Sequence, residues 1–170
     1  ISDSFTFDNL RIVTQAIADA VASDHWDKSA NDGNTDKKKI VVGYDTRFLS
    51  DRFAGEVARV LAANGFTVLL AQSDSPTPAI SFAVKYHRAI AGMMITASHN
   101  APRYNGLKLK GAFGGSALSE QCRRVEVYIN DNEQQARGPN LMDFNKAREA
   151  GLIQKFNPLP IYFEHLHKLI

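Results

Sequence analysis

Three short apolar runs, Ile40–Tyr44, Phe66–Leu70 and Ala89–Ile95, alternate with two segments of helical period. The runs are strand-sized, and the last holds no polar residue, as expected of a strand buried on both faces. Between the first two, Phe53, Val57, Val60 and Leu61 share one helical face. Ser50-Asp51 starts that helix, and Asn64-Gly65 stops it with glycine at the C′ position. Between the second and third, Ser75-Pro76-Thr77-Pro78 turns into a helix near Ala79–Tyr86. This βαβ rhythm predicts a parallel sheet, right-handed crossovers and helices on both faces. Such sheets place ligands at the C-terminal ends of their strands. Three loops lie there: Asp45-Thr46-Arg47, Ser73–Pro78 and Thr96–Lys108.

The flanking segments are less regular. Leu10, Val13, Ile17 and Val21 fall on one helical face, with Thr6 or Asp8 able to cap its start. Ser23–Lys39 is polar, reads as an exposed mobile loop, and ends in the solvated run Lys37-Lys38-Lys39. Leu107–Lys110 suits one more short strand, and Ser119 caps a helix through about Asn130 with Val125 and Ile129 as its spine. From Asn130 to Pro160 the pattern weakens, with room for one short helix between Leu141 and Leu152. Pro160 then opens an amphipathic stretch, Ile161, Phe163, Leu166 and Leu169, that runs to Ile170.

Composition narrows the function classes. With 44% hydrophobic and 22% charged residues the chain is globular, not disordered. The longest apolar run, Ile90–Ile95, is far short of the ~20 residues of a membrane span. A net charge of +2 gives no reason to expect nucleic acid. The single Cys122 excludes an internal disulfide and points to a reducing, cytoplasmic compartment. Ile1-Ser2-Asp3-Ser4 has neither the basic region nor the apolar core of a signal peptide, and no initiator Met.

The chemistry concentrates in Thr96-Ala97-Ser98-His99-Asn100-Ala101-Pro102-Arg103-Tyr104-Asn105-Gly106-Leu107-Lys108. Ser98 is an exposed hydroxyl after a buried strand, a candidate nucleophile; His99 and Lys108 suit protons or anionic oxygens. Asn105-Gly106 is a turn dipeptide that would fold Lys108 back toward Ser98. On these grounds alone this is a candidate site, and an ordinary polar turn, which Ser, His and Asn also form, is the reading to prefer. Arg103 and Lys110 could add positive field, with solvated surface as their default reading. Thr77 and its prolines read as a rigid turn, and Cys122 as structural. His25, His87, His165 and His167 show no metal-ligand spacing with a partner.

This segment resembles the phosphoserine loop of the α-D-phosphohexomutases, the phosphoglucomutase and phosphomannomutase family. The family pattern is Thr-Ala-Ser-His-Asn-Pro followed by Asn-Gly-x-Lys. Val42-Gly43-Tyr44-Asp45-Thr46-Arg47 and Ser75-Pro76-Thr77-Pro78-Ala79 agree with the family as well. One departure is local: Ala101 stands where the family has proline, and Pro102 follows it. The family's Gly-Thr-Ser-Gly-x-Arg segment is absent, and Asp-x-Asp-x-Asp, its metal loop, occurs nowhere.

The resemblance implies a three-layer α/β/α fold with a mixed, mostly parallel sheet. It implies that residues 1–132 are the family's first domain without its N-terminal strand, 133–160 a linker, and 161–170 the truncated start of a second domain. It implies an intramolecular phosphotransferase interconverting hexose 1-phosphate and hexose 6-phosphate of glucose or mannose, through phospho-Ser98 and a bisphosphate intermediate. Ser98, Lys108 and His99 are then catalytic, and Arg47 and Asn100 lie at the substrate. Asn100 also suits holding the loop, and Arg47 also suits a structural ion pair with Asp45 or Asp51. Mg²⁺ would take a phosphoryl oxygen on Ser98, its other ligands lying outside the chain, and glucose or mannose 1,6-bisphosphate would be intermediate and activator. The partners are a sugar phosphate and the remaining domains of the same enzyme, without nucleic acid or membrane, and the isolated fragment is expected to be inactive. Two alternatives stand beside this: a phosphoglucosamine mutase, and a non-catalytic nucleotide- or phosphate-binding α/β module. The module has a poor case, since no Gly-x-Gly-x-x-Gly follows the first strand and no Walker-type motif exists.

Overall fold

A computed structural model of the chain describes residues 5–23, Trp26 and residues 35–170. Thr6 caps α1 (Phe7–Ala22), its Oγ1 accepting the N–H of Asn9 at 3.1 Å. Leu10, Ile17 and Val21 are buried along that helix. Then come β1 (Asp36–Tyr44), α2 (Ser50–Ala63), β2 (Thr67–Ala71), α3 (Thr77–Tyr86) and β3 (Ala89–Ile95), in the order the βαβ rhythm predicts. They are followed by β4 (Leu107–Gly111), α4 (Ser119–Gln134), α5 (Phe144–Glu149), β5 (Ile153–Phe156) and α6 (Leu159–His167).

The five strands form one sheet in the order β4-β3-β1-β2-β5. β1 is parallel to both β2 and β3, and β5 is parallel to β2; β4 alone is antiparallel, paired to β3. The sheet is therefore mixed and mostly parallel. The connection β1-α2-β2 steps one way across the sheet, and β2-α3-β3 steps back past β1. Right-handed crossovers then put α2 and α3 on opposite faces. The central strands are buried on both faces, β3 at every position, which is why their sequences run apolar without alternating.

Glycines set how closely α3 lies on the sheet. A methyl added at Gly43 of β1 would fall on Ile80 of α3, and one added at Gly92 of β3 on Val84. The absent side chains let α3 settle directly over β1 and β3, the strands whose ends carry the candidate loops.

Three expectations differ from the structure. Residues 133–160 are not a plain linker. Asp143 caps α5, accepting from the N–H groups of Asn145 and Lys146, and β5 adds a fifth strand in the register Val68↔Ile153 to Ala71↔Phe156. The strand Ile-Gln-Lys-Phe buries only Ile153. A short, polar edge strand of this kind carries no apolar period to read. Within the expected loop Ser23–Lys39, Trp26 is buried, its indole N–H donating to Ile90 O at 3.3 Å and its own carbonyl accepting from Gln121. The lysine run belongs to β1, not to a loop. Residues 24, 25 and 27–34, like Ile1–Ser4, lie outside the described residues. Finally, α4 is capped one residue earlier than expected: the Gln121 side-chain oxygen accepts the N–H of Leu118 at 2.9 Å. The last helix, α6, buries no residue fully and rests on α3 through Phe82 and His165, whose rings stack at 4.4 Å.

The glycine contacts give a paired test. Gly43→Ala overpacks the α3 seat and lowers stability by about 1–3 kcal/mol. Gly55, inside α2, has nothing within 4 Å of an added methyl, so Gly55→Ala raises stability by about 0.5–1 kcal/mol. Urea denaturation of the two variants should give changes of opposite sign.

Candidate active site

β1 lies between β2 and β3, and its outgoing connection leaves on the face opposite to α3. Such a point of reversal opens a crevice at the C-terminal strand ends. Here it is a cleft of about 690 Å³ lined by Asp45 after β1, by Ser75 before α3 and Thr77 at its first turn, by Thr96 and Ser98 after β3, and by Lys108 of β4.

Ser98 stands at the rim with φ 59°, in the left-handed region. For a residue with a Cβ that conformation costs about 1–2 kcal/mol, so something must hold it. Part of the hold is Thr96, buried at the end of β3, whose hydroxyl accepts the Ser98 N–H at 3.0 Å. The Ser98 side chain remains exposed and reaches two neighbours. Lys108 Nζ donates to Ser98 Oγ at 3.1 Å, and His99 Nδ1 lies 3.4 Å from the same oxygen. The antiparallel turn into β4 produces the first contact, since pairing Met94 with Lys108 returns the lysine beside the strand end that leads to Ser98.

Arg47 holds the rest of the loop. Its Nε donates to Asp45 Oδ2 at 3.0 Å; Nη1 donates to the carbonyls of Ala101 and Tyr104; Nη2 donates to those of Ser98 and Asn100. A guanidinium has five N–H donors, and each has an acceptor here. Arg47 therefore meets the loop backbone with its whole fork, and the expected ion pair with Asp45 is present as well. Asn100 contributes through its backbone, accepting from Arg47 and donating its N–H to Ala97 O at 3.1 Å. The displaced proline finds a use in the same frame: Tyr104 N–H bonds Ala101 O, so Pro102 is the second residue of a turn, where its fixed φ fits.

Asp45 is the other fixed point. Its Oδ1 accepts from the Arg47 backbone N–H and from Ser50 Oγ, both at 3.1 Å. Ser50 Oγ in turn accepts from Asn105 Nδ2 at 2.8 Å. Ser50, Thr96 and this bond were not foreseen. The sequence shows Ser50 as a helix start and Asn105 as a turn residue, and neither signal carries information about a contact between them.

Lys110 corrects an expectation. It is 5% exposed, not a solvated surface residue. It pairs with Gly92 on the same strand face as Lys108, so its stem lies over a position without a side chain. Burial, and secondarily Lys108, push its ammonium below the usual lysine range. Arg103 lies exposed over the Tyr104 ring, 5.0 Å from its centroid.

The remaining candidates are structural or distant. Cys122 is exposed on α4. His87 packs edge-on to the rings of Tyr86 and Phe156, and burial, followed by the charge of Lys39, lowers its pKa. Among the described residues no three His, Cys, Asp or Glu side chains form a metal-binding group, and both oxygens of Asp45 are already engaged. Of the cleft-lining side chains, Ser98 presents an exposed oxygen that a hard cation such as Mg²⁺, which takes oxygen ligands, could use.

Comparison with known proteins is concordant. The family model described as phosphoglucomutase/phosphomannomutase, alpha/beta/alpha domain I, matches residues 1–136. A phosphoglucomutase of Staphylococcus saprophyticus is 42% identical over 121 residues, covering 71% of this chain and 22% of that protein. One of Staphylococcus epidermidis is 45% identical over 91 residues, covering 54% and 17%. Among solved structures, a Thermus thermophilus protein assigned as a phosphomannomutase superposes with a TM-score of 0.78 at 31% identity, over 99% of this chain and 33% of that one. A phosphoglucomutase/phosphomannomutase family protein of Burkholderia thailandensis shares the fold, with a TM-score of 0.69 at 24% identity over 96% of this chain and 32% of that one. The chain thus spans about a fifth of the length of the curated relatives it matches.

Two outcomes follow from the geometry. Arg47→Lys keeps the charge and loses the fork. Amide hydrogen exchange at Asn100 and Tyr104 should speed up by at least about tenfold, as a loss of about 1.4 kcal/mol of local stability would produce, with exchange in β1 unchanged. Lys110→Met removes a charge that folding must desolvate. The folded-state pKa of Lys110 is depressed, so its unfavourable contribution is fullest where the group is protonated in both states. The variant should therefore melt higher than the parent at pH 7. That advantage should shrink as pH rises through the folded-state pKa toward the unfolded one, as thermal melts across that range would show.

Proposed function

The chain belongs to the phosphoglucomutase/phosphomannomutase family, and from that premise we propose that it is the part of a phosphohexomutase that carries the phosphoryl group, on Ser98. The observation that carries this reading is the contact of Lys108 Nζ with Ser98 Oγ at 3.1 Å, on a loop four of whose carbonyls are held by Arg47. The substrate class is a hexose 1- or 6-phosphate, of glucose or mannose. The remaining walls of the site come from further domains of the same enzyme, the next of them opening at 161–170. On this reading the 170-residue chain by itself does not turn over. The exposed thiol of Cys122 suits a reducing cytoplasm, and among the described residues no helix is long and apolar enough to cross a membrane.

The residues divide the work as follows. In the forward half-reaction the bond from phosphorus to Ser98 Oγ breaks and a bond from phosphorus to the acceptor hydroxyl oxygen forms. The proton that the hydroxyl gives up balances the one Oγ takes. Negative charge builds on Oγ as the phosphoryl leaves, and Lys108, which donates to the unmodified Oγ, is placed to stabilise it. In the second half-reaction the other phosphoryl of the bisphosphate returns to Oγ. His99, next to the same oxygen, hydrogen-bonds the phosphoryl oxygens. A phosphoserine carries about −1.5 to −2 charge near neutral pH, and Mg²⁺, held in part by a Ser98 phosphoryl oxygen, supplies further charge neutralisation when bound. Arg47 and Asn100 act here by shaping the loop. The guanidinium of Arg47 has no donor left for the sugar phosphate.

Intact-mass analysis of the full-length enzyme tests the assignment. Ser98→Ala should lose the covalent phosphate and turnover together, and Lys108→Met should keep the phosphate while kcat falls about 10²–10⁴-fold. An unchanged phosphate load in Ser98→Ala would sink the reading.

A further inference from the structure

We propose that Ser50 is a positioning residue for the reacting pair Ser98 and Lys108, acting through Asn105. This rests on the phosphoryl-transfer role of Ser98 and Lys108 set out above.

The two members of that pair sit on different pieces of backbone, and both pieces are tied to one carboxylate. Along the first path, Asp45 orients Arg47, and Arg47 holds the carbonyl of Ser98 at 2.9 Å. Along the second, Asp45 Oδ1 accepts from Ser50 Oγ, and Ser50 Oγ accepts from Asn105 Nδ2. Asn105 Oδ1 then accepts the N–H of Gly106 at 2.9 Å, and Gly106 O accepts the N–H of Thr96 at 2.9 Å. β4 begins at the next residue, Leu107, with Lys108 after it. The contact from Lys108 to Ser98 closes the circuit.

Ser50 is the member of this circuit whose chemistry cannot be shared out. It is 0% exposed, so no solvent replaces it. It must donate to a carboxylate and accept from an amide with one hydroxyl, on a stem short enough for the first turn of α2. Its backbone is placed for this: Leu49 before it has φ 62°, and the Ser50 N–H bonds Arg47 O at 3.0 Å. Removing the hydroxyl leaves Asn105 Nδ2 without that acceptor and frees the start of β4 from α2. Lys108 keeps its ladder pairing with Met94 but loses the tie that fixes the turn before it, so its ammonium is held less closely against Ser98 while the sugar-phosphate contacts made elsewhere in the cleft stay as they are. A misplacement of about 1 Å at reacting atoms can cost as much as 10²-fold in rate.

The test uses the full-length enzyme with glucose 1-phosphate and the bisphosphate activator. Ser50→Ala should lower kcat about 10- to 100-fold with KM little changed. Asn105→Ala should do the same, and the double variant should be no slower than the slower single, because both remove one bond. Thr14→Val is the control, an equally buried hydroxyl on α1 bonded only to Leu10 O; it should leave kcat at the parental value. If Ser50→Ala gives too little folded protein, Asn105→Ala carries the same comparison from the loop side. Parental kcat in Asn105→Ala or in a folded Ser50→Ala, with Ser98→Ala dead and free of phosphate, would overturn this inference and leave the function standing. Additive losses in the double variant would overturn it too. A Ser98→Ala enzyme that keeps its phosphate and its turnover would overturn both.

Discussion

One guanidinium gives the candidate site its shape. Arg47 projects from the end of β1 and bonds four carbonyls spread over Ser98–Tyr104, while its Nε is fixed by Asp45. Loop carbonyls cannot all find backbone N–H donors without forming regular structure, and that would carry Ser98 out of the left-handed conformation that exposes it. A planar cation with five donors solves this, because it gathers acceptors from several directions onto one side chain anchored in the sheet. A lysine has three donors and no fixed plane, so it would leave acceptors unmet. The clamp also explains how a segment can be rigid in its backbone while presenting exposed side chains. The carbonyls turn inward to Arg47, and Ser98, His99 and Asn100 turn outward.

The sheet decides where that clamp stands. β1 is the strand at which the connections reverse, so the ends of β1 and β3 are adjacent without a helix between them. Gly43 and Gly92 bring α3 down onto these two strands, which makes the Ser75–Pro78 turn a wall of the cleft. β4 runs back antiparallel beside β3 and supplies Lys108 from the far side. Each wall therefore comes from a different strand end, and only the topology brings them together.

Legibility in the sequence followed the kind of interaction. The central strands and α1–α3 could be read because burial imposes a period, and Thr6, Asn64 and Gly65 punctuate helix ends by known backbone chemistry. The loop was legible because its residues resemble a family pattern from Thr96 to Lys108. β5 escaped because an edge strand with one buried residue has no period. Trp26 escaped because a lone aromatic in a polar run gives no pattern, although it is buried with its indole N–H on Ile90 O. Ser50 and Lys110 escaped for a third reason. Their environments are made by residues distant in sequence, Asn105 for one and Gly92 for the other, and local composition does not encode either meeting.

Lys110 also bears on how a nearly neutral chain handles an anion. The net charge of +2 says little, because the charges that matter are few and local. Lys108 and Lys110 fall on one face of β4, and the second is buried beside Gly92 of β3. Folding thus retains a desolvated cation that the core does not need, next to the one that holds Ser98. Water screens exposed charges strongly and buried ones weakly, so Lys110 is a cation that solvent masks little, two residues along β4 from Lys108. The cost of holding it falls on the stability of the sheet edge.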